Sequence, residues 1–172
     1  MNFDYSDDQK MLKDEARKFL AAKCDAKVVR GVLDHDDRAY DEALWKGVAE
    51  QGWLGAAIPE EFGGLGLGHV ELCALAEELG RACAPIPFAS TVYFVAEALM
   101  KFGSQEQKAK WLPKIAAGEV IGAFATAEGK GPVTARSIKT SVSGGKLTGE
   151  KIPVPDGAVA ALIVVLAKDG LY

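Results

Sequence analysis

Pro59-Glu-Glu-Phe-Gly-Gly-Leu-Gly-Leu-Gly-His-Val-Glu-Leu-Cys-Ala-Leu-Ala-Glu-Glu-Leu-Gly-Arg-Ala-Cys-Ala-Pro85 joins a glycine-dense loop to a helix and closes on a proline. Leu72, Leu75, Ala76 and Leu79 recur at i, i+3, i+4 and i+7, which sets them on one apolar stripe and predicts an amphipathic helix. Gly80 and Pro85 supply its stop signals. Gly64, Gly66 and Gly68 lead into that helix, and a helix N-terminus can hold an anion. However, the residues before them are Pro59, Glu60 and Glu61, which are acidic and follow no clear strand. The glycines therefore read as turn geometry that lets a helix approach closely, rather than as a dinucleotide fingerprint.

Outward from this stretch the first two-thirds of the chain is helical in pattern. Ser6-x-x-Gln9 is a capping box, with Asp7 and Asp8 in the first turn and Leu12, Ala16, Phe19 and Leu20 at helical spacing behind it. A shorter segment around residues 26–33 leads into the acidic loop Asp34-His-Asp-Asp-Arg38. That loop offers carboxylates and an imidazole but no fixed geometry, and reads as a solvated turn rather than a metal site. Asp41 caps a helix with Leu44, Val48 and Ala49 on its apolar face, and Gly52 ends it. Trp53–Ile58 is a short apolar connector. Residues 88–102 are apolar on most sides (Val92, Phe94, Val95, Ala98, Leu99, Phe102), which predicts a helix buried in a bundle or at an interface. Ser104-x-x-Gln107 is a second capping box, and Pro113 in the helix it opens calls for a kink or a fresh start.

Near Gly118-Glu119 the period changes. Residues 120–126 read as a strand; Ile138, Thr140 and Val142 alternate; Ser143-Gly144-Gly145 turns the chain into a hairpin with 146–149. Residues 159–167 form an apolar run suited to a well-buried strand. The fold class expected is α+β, an N-terminal all-α bundle over residues 1–118 followed at 119–172 by part of an antiparallel, barrel-like β domain.

Composition narrows the function classes. The chain has 172 residues, 49% apolar and 26% charged, with a net charge of −4, so there is no basic footprint for nucleic acid. No apolar run approaches the length of a membrane span, and the acidic first residues resemble no targeting peptide, so a cytoplasmic protein is expected. Cys24, Cys73 and Cys83 lack C-x-x-C spacing and read as reduced thiols, and neither His35 nor His69 sits in a nucleophile motif.

Taken whole, the stretch at 59–85 resembles the N-terminal helical domain of acyl-CoA dehydrogenases, in which a Pro-Glu-Glu-Phe/Tyr-Gly-Gly-Leu-Gly loop precedes a helix ending Glu-Glu-Leu-Gly-Arg. The resemblance extends from the Ser6 helix through Ala167 and includes Trp111-Leu-Pro-Lys-Ile-Ala-Ala-Gly118. It implies FAD-linked oxidation of an acyl-CoA thioester to its trans-2-enoyl form, with electrons passing on to an electron-transfer flavoprotein. The family's C-terminal bundle, which carries its catalytic glutamate, has no counterpart in these residues. No catalytic residue is therefore expected in this chain, and activity is expected only with the missing half or with a partner subunit.

Two segments of the family's middle domain hold the flavin. The first corresponds here to residues 124–134, where Phe124 and Glu128 match, Ala127 stands for a threonine, Gly129 for a proline and Val133 for a serine. Thr126 falls on the opposite face of a regular strand from Ala127. The second corresponds to Lys151-Ile-Pro-Val-Pro-Asp-Gly157, where Pro153 replaces a tryptophan that covers the flavin and Pro155 a threonine. The resemblance thus leaves Phe124, Thr126, Ala127, Glu128 and Val154 as cofactor contacts, mainly through backbone. Three readings follow: a dehydrogenase part that works with a partner, a non-catalytic descendant kept for assembly or CoA-thioester binding, and a helical interaction domain without ligand. Unpaired strand edges and the 88–102 helix also predict a homo- or hetero-oligomer.

Overall fold

The computed structural model describes residues 4–35 and 37–172; Asp36 of the acidic loop and the first three residues lie outside it. Local chemistry sets most helix starts. In α1 (Asp7–Lys23) Ser6 Oγ accepts from the Gln9 amide at 3.2 Å and Gln9 Oε1 accepts from the Ser6 amide at 2.9 Å. Asp25 caps α2 (Ala26–Leu33), and Asp41 Oδ1 caps α3 (Glu42–Glu50) through the Leu44 amide at 2.8 Å.

The helix that decided the sequence reading is α4 (His69–Arg81), one residue longer than its glycine stop. Leu72, Leu75 and Leu79 are buried on it as the stripe required, each worth about 1.5–3 kcal/mol of burial. They pack with Ala16 and Leu20 of α1, with Leu44, Trp45 and Val48 of α3, and with Trp53 and Leu54 of the single 3₁₀ turn in the connector. α1 and α4 run side by side in the same sense, Gln9 reaching Glu71 and Arg17 reaching Glu78.

Residues 88–102 form a helix, but Ala89–Ala96 is wound as a π-helix that passes directly into α5 (Glu97–Phe102). Val92, Val95 and Leu99 are buried, whereas Phe94 is 54% and Phe102 73% exposed. Within this chain the helix is therefore buried on one part of its surface only, with Phe94 and Phe102 left largely exposed, and of the two expected settings, a bundle centre or an interface, full enclosure inside the bundle is not what is found. α6 (Gln105–Ala116) starts on its predicted box and runs through Pro113 without a fresh start.

The C-terminal third supplies β1 (Gly122–Ala125), β2 (Ser141–Ser143), β3 (Lys146–Thr148), β4 (Leu162–Ala167) and β5 (Gly170–Leu171). The α+β organisation is as expected. The hairpin β2–β3 is antiparallel about Gly144 and Gly145, both at positive φ (56° and 75°), and β4–β5 is antiparallel too. β1 and β4 pair in parallel, Phe124 beside Val164, so the three-stranded sheet β1–β4–β5 is mixed rather than antiparallel throughout, and among the described residues no barrel closes. A second core of Ile58, Val95, Leu99, Leu112, Ile115 and Val164 joins this sheet to the helices.

Candidate functional site

The glycine loop is folded back on the connector. Leu65, Gly66 and Leu67 donate their amides to the carbonyls of Gly55, Ile58 and Ala56 at 2.8–2.9 Å. A Cβ on Gly64 would lie 2.0 Å from the Ile58 carbonyl oxygen, so glycine is required there for close approach. The N-terminus of α4 already carries an anion, because Glu71 Oε2 accepts from the Gly68 amide at 2.9 Å. The Gln9 amide, the first cause, holds the Glu71 carboxyl below its usual range. With those amides engaged, the loop is not a phosphate cradle.

The two segments singled out near the sheet lie against each other. Ile152 donates its amide to Ala127 O and Gly129 donates to Ile152 O, both at 2.9 Å, with Glu128 and Ile152 bridged in parallel. Glu128 sits at the centre. Its carboxylate accepts from Lys151 Nζ (2.8 Å), Thr140 Oγ1 (2.5 Å) and the amides of Thr140 (2.9 Å) and Lys139 (2.6 Å). Lys151, then Thr140, hold it well below the usual carboxylate range. Lys151 also donates to the Thr126 carbonyl at 3.1 Å. Both side chains are under a tenth exposed, 8% for Lys151 and 9% for Glu128. Glu128, placed by the sequence among cofactor contacts, thus has all its described bonds within the protein.

The second segment is tied to the π-helix as well. Buried Ser90 donates through Oγ to the Asp156 carboxylate, and Asp156 adopts a left-handed backbone (φ 56°). One residue on, fully buried Thr91 accepts from the Gly122 amide at 3.1 Å and anchors the start of β1. Thr140, Ser90 and Thr91 were not singled out as site residues. The alternation of Ile138, Thr140 and Val142 set Thr140 on one face with them without saying which way that face turns, and nothing local marks Ser90 or Thr91.

Phe124 turns to the helix side of the sheet, where its ring stacks on Phe94 (centroids 6.2 Å apart, planes 16°). On the opposite side, Ala125, Leu147, Lys151, Val154, Ile163 and Val165 line an open groove of about 500 Å³. Val154 lies in this groove and Phe124 does not, so the candidate contacts are split between two faces. As a seat for the ring of FAD the donor set does not fit. Pro153 and Pro155 are exposed and bring neither an aromatic face nor a hydroxyl nor an N–H, Ala127 brings no hydroxyl, and its carbonyl is engaged by Ile152. Among the described residues no three His, Cys, Asp or Glu side chains are grouped to hold a metal ion, and no helix is long and apolar enough to cross a membrane.

Comparison with known proteins places this architecture. The chain is 31% identical over 174 residues to acryloyl-CoA reductase (NADH) of Anaerotignum propionicum, covering 97% of this chain and 43% of that protein. It is 37% identical over 134 residues to mitochondrial isovaleryl-CoA dehydrogenase of Solanum tuberosum, covering 74% and 32% respectively. Among solved structures, the ChsE4-ChsE5 complex from Mycobacterium tuberculosis matches with a TM-score of 0.85 at 29% identity, over 99% of this chain and 47% of that one. The chain therefore spans less than half the length of each. The sequence model of the acyl-CoA dehydrogenase N-terminal domain matches residues 6–119. With the helical frame, the loop at 59–68 and the start of the sheet all in place, the chain belongs to the acyl-CoA dehydrogenase family.

Proposed function

We propose that this chain is the N-terminal part of an acyl-CoA dehydrogenase-type assembly that acts on an acyl-CoA thioester and completes its active site with residues outside these 172. The boundary between the helical domain and the start of the middle domain is set near residues 118–120. The observation that carries the reading is the close docking of residues 124–129, residues 151–157 and the π-helix. Glu128–Lys151 and Ser90–Asp156 maintain the frame on which this family builds its site. The family's reaction is FAD-linked α,β-dehydrogenation, with an electron-transfer flavoprotein as acceptor. A carboxylate must remove the α-proton while enolate charge on the thioester carbonyl is stabilised. No residue of this chain is assigned as that base. Its contribution is positioning: the half-exposed Phe94–Phe124 pair offers an apolar wall beside the sheet, suited to an acyl chain.

The heteromeric ChsE4-ChsE5 relative supports completion by a complementary subunit as well as by further sequence. Pro153 and Pro155 favour a second reading, a non-catalytic subunit that binds the thioester or serves assembly. The test is dye-coupled dehydrogenation of a panel of acyl-CoA thioesters by the full-length protein with any co-purifying subunit. Melting of the same preparation is followed with each thioester, since a ligand at 100 times its Kd stabilises by about 2.7 kcal/mol. Turnover supports the first reading, a melting shift without turnover the second. A folded preparation showing neither removes both.

A further inference from the structure

We infer that residues 151–157 are a structural brace and not a flavin seat, so that any flavin of the assembly proposed above lies on other residues. This rests on that reading of the chain as part of such an assembly. The segment's two charged side chains are both committed inward. Lys151, 8% exposed, spans the Glu128 carboxylate and the Thr126 carbonyl, and Asp156 accepts from buried Ser90 on the π-helix. One end of the segment thus grips the sheet and the other grips the helices. Between them Ile152 exchanges backbone hydrogen bonds with Ala127 and Gly129, which joins the two segments that would otherwise open onto a ligand.

What remains outward is Ile152, Pro153 and Pro155, with Val154 lining the groove, and none of these four side chains carries an aromatic ring or a hydrogen-bond donor. A flavin ring needs a flat apolar cover on one side and hydrogen bonds along its pyrimidine edge. Phe124, the aromatic of the first segment, lies on the opposite side of the sheet and is stacked on Phe94. Retention of the charged ends of the segment beside loss of its middle is what a brace requires and a flavin seat does not.

The test is hydrogen–deuterium exchange on the full-length protein, with any partner subunit, with and without saturating FAD. Exchange across 124–134 and 151–157 is expected to be the same in both conditions, and saturable slowing there on FAD addition overturns the inference. Asp156→Ala and Lys151→Met are expected to lower Tm and speed exchange in 151–157 equally with and without FAD; variants that leave both unchanged would also overturn it. An acyl-CoA-dependent melting shift in the same samples reports on the proposed function separately. Absence of both that shift and turnover removes that reading and leaves the brace standing.

Discussion

Glu78→Gln tests the buried ion cluster that fastens α1 to α4. The Glu78 carboxylate is 1% exposed and accepts from Arg17 Nη2 (2.8 Å), Arg17 Nε (3.2 Å) and Arg81 Nε (2.7 Å). Arg17 first and Arg81 after it hold the carboxyl down to about 2, against 4.5 for a free glutamate. Because the folded-state pKa is depressed, the unfolded chain takes up the proton more readily. The contribution is therefore complete above pH 4.5 and is lost as pH falls toward 2. At about 1.4 kcal/mol per unit the shift corresponds to roughly 3 kcal/mol. Both arginines are about half exposed, 51% and 49%, so solvent screening lowers the expected value to about 2 kcal/mol. The assay is urea unfolding of wild type and Glu78→Gln between pH 7 and pH 3. At pH 7 the variant should be less stable by about 2 kcal/mol, or about 4–8 °C in Tm for a chain of this size. Its stability should also fall less steeply than wild type below pH 5. Two curves that stay parallel down to pH 3 would refute the claim that this carboxylate carries the acid sensitivity.

Gly64→Ala should cost 3 kcal/mol or more, or about 6 °C or more in Tm by calorimetry, because the new methyl falls 2.0 Å from the Ile58 carbonyl oxygen; an unchanged Tm would mean that the loop is not held against the connector. Phe94→Ala, Phe124→Ala and their double variant form a cycle in which the stacked rings should couple by about 0.5–1.5 kcal/mol in denaturant unfolding, and strict additivity would deny the stacking. Tyr93 is held edge-on to Phe88, its enclosed hydroxyl has no hydrogen-bond partner among the described residues, and burial pushes its pKa up to about 12. Tyr93→Phe should therefore raise stability by about 1 kcal/mol, and a loss instead would locate a partner for that hydroxyl in the assembled protein.

The elements legible in the sequence were those whose causes are local. The Ser6 and Ser104 boxes, the Leu72–Leu79 stripe and the Gly144-Gly145 turn each fix backbone within a few residues, and each stands where its pattern put it. Apolar composition near 120 and 165 and alternation near 140 marked the strands but not their partners, since neither pattern specifies pairing; the parallel match of Gly122 with Leu162 spans 40 positions. The same limit explains Phe94 and Phe102. An apolar helix announces that it wants burial, while which side meets a neighbour depends on elements far along the chain and on a π-helical winding that no glycine or proline signals. The sequence reading did locate the loss of aromatic and hydroxyl groups at Pro153 and Pro155. It had no means of explaining why Lys151 and Asp156 remain beside them. Their partners Glu128 and Ser90 lie 23 and 66 residues away, contacts that only the folded chain brings together. Those two bonds supply a reason for the residues to be there that requires no cofactor, so the surviving half of the motif speaks for the fold and not for the chemistry.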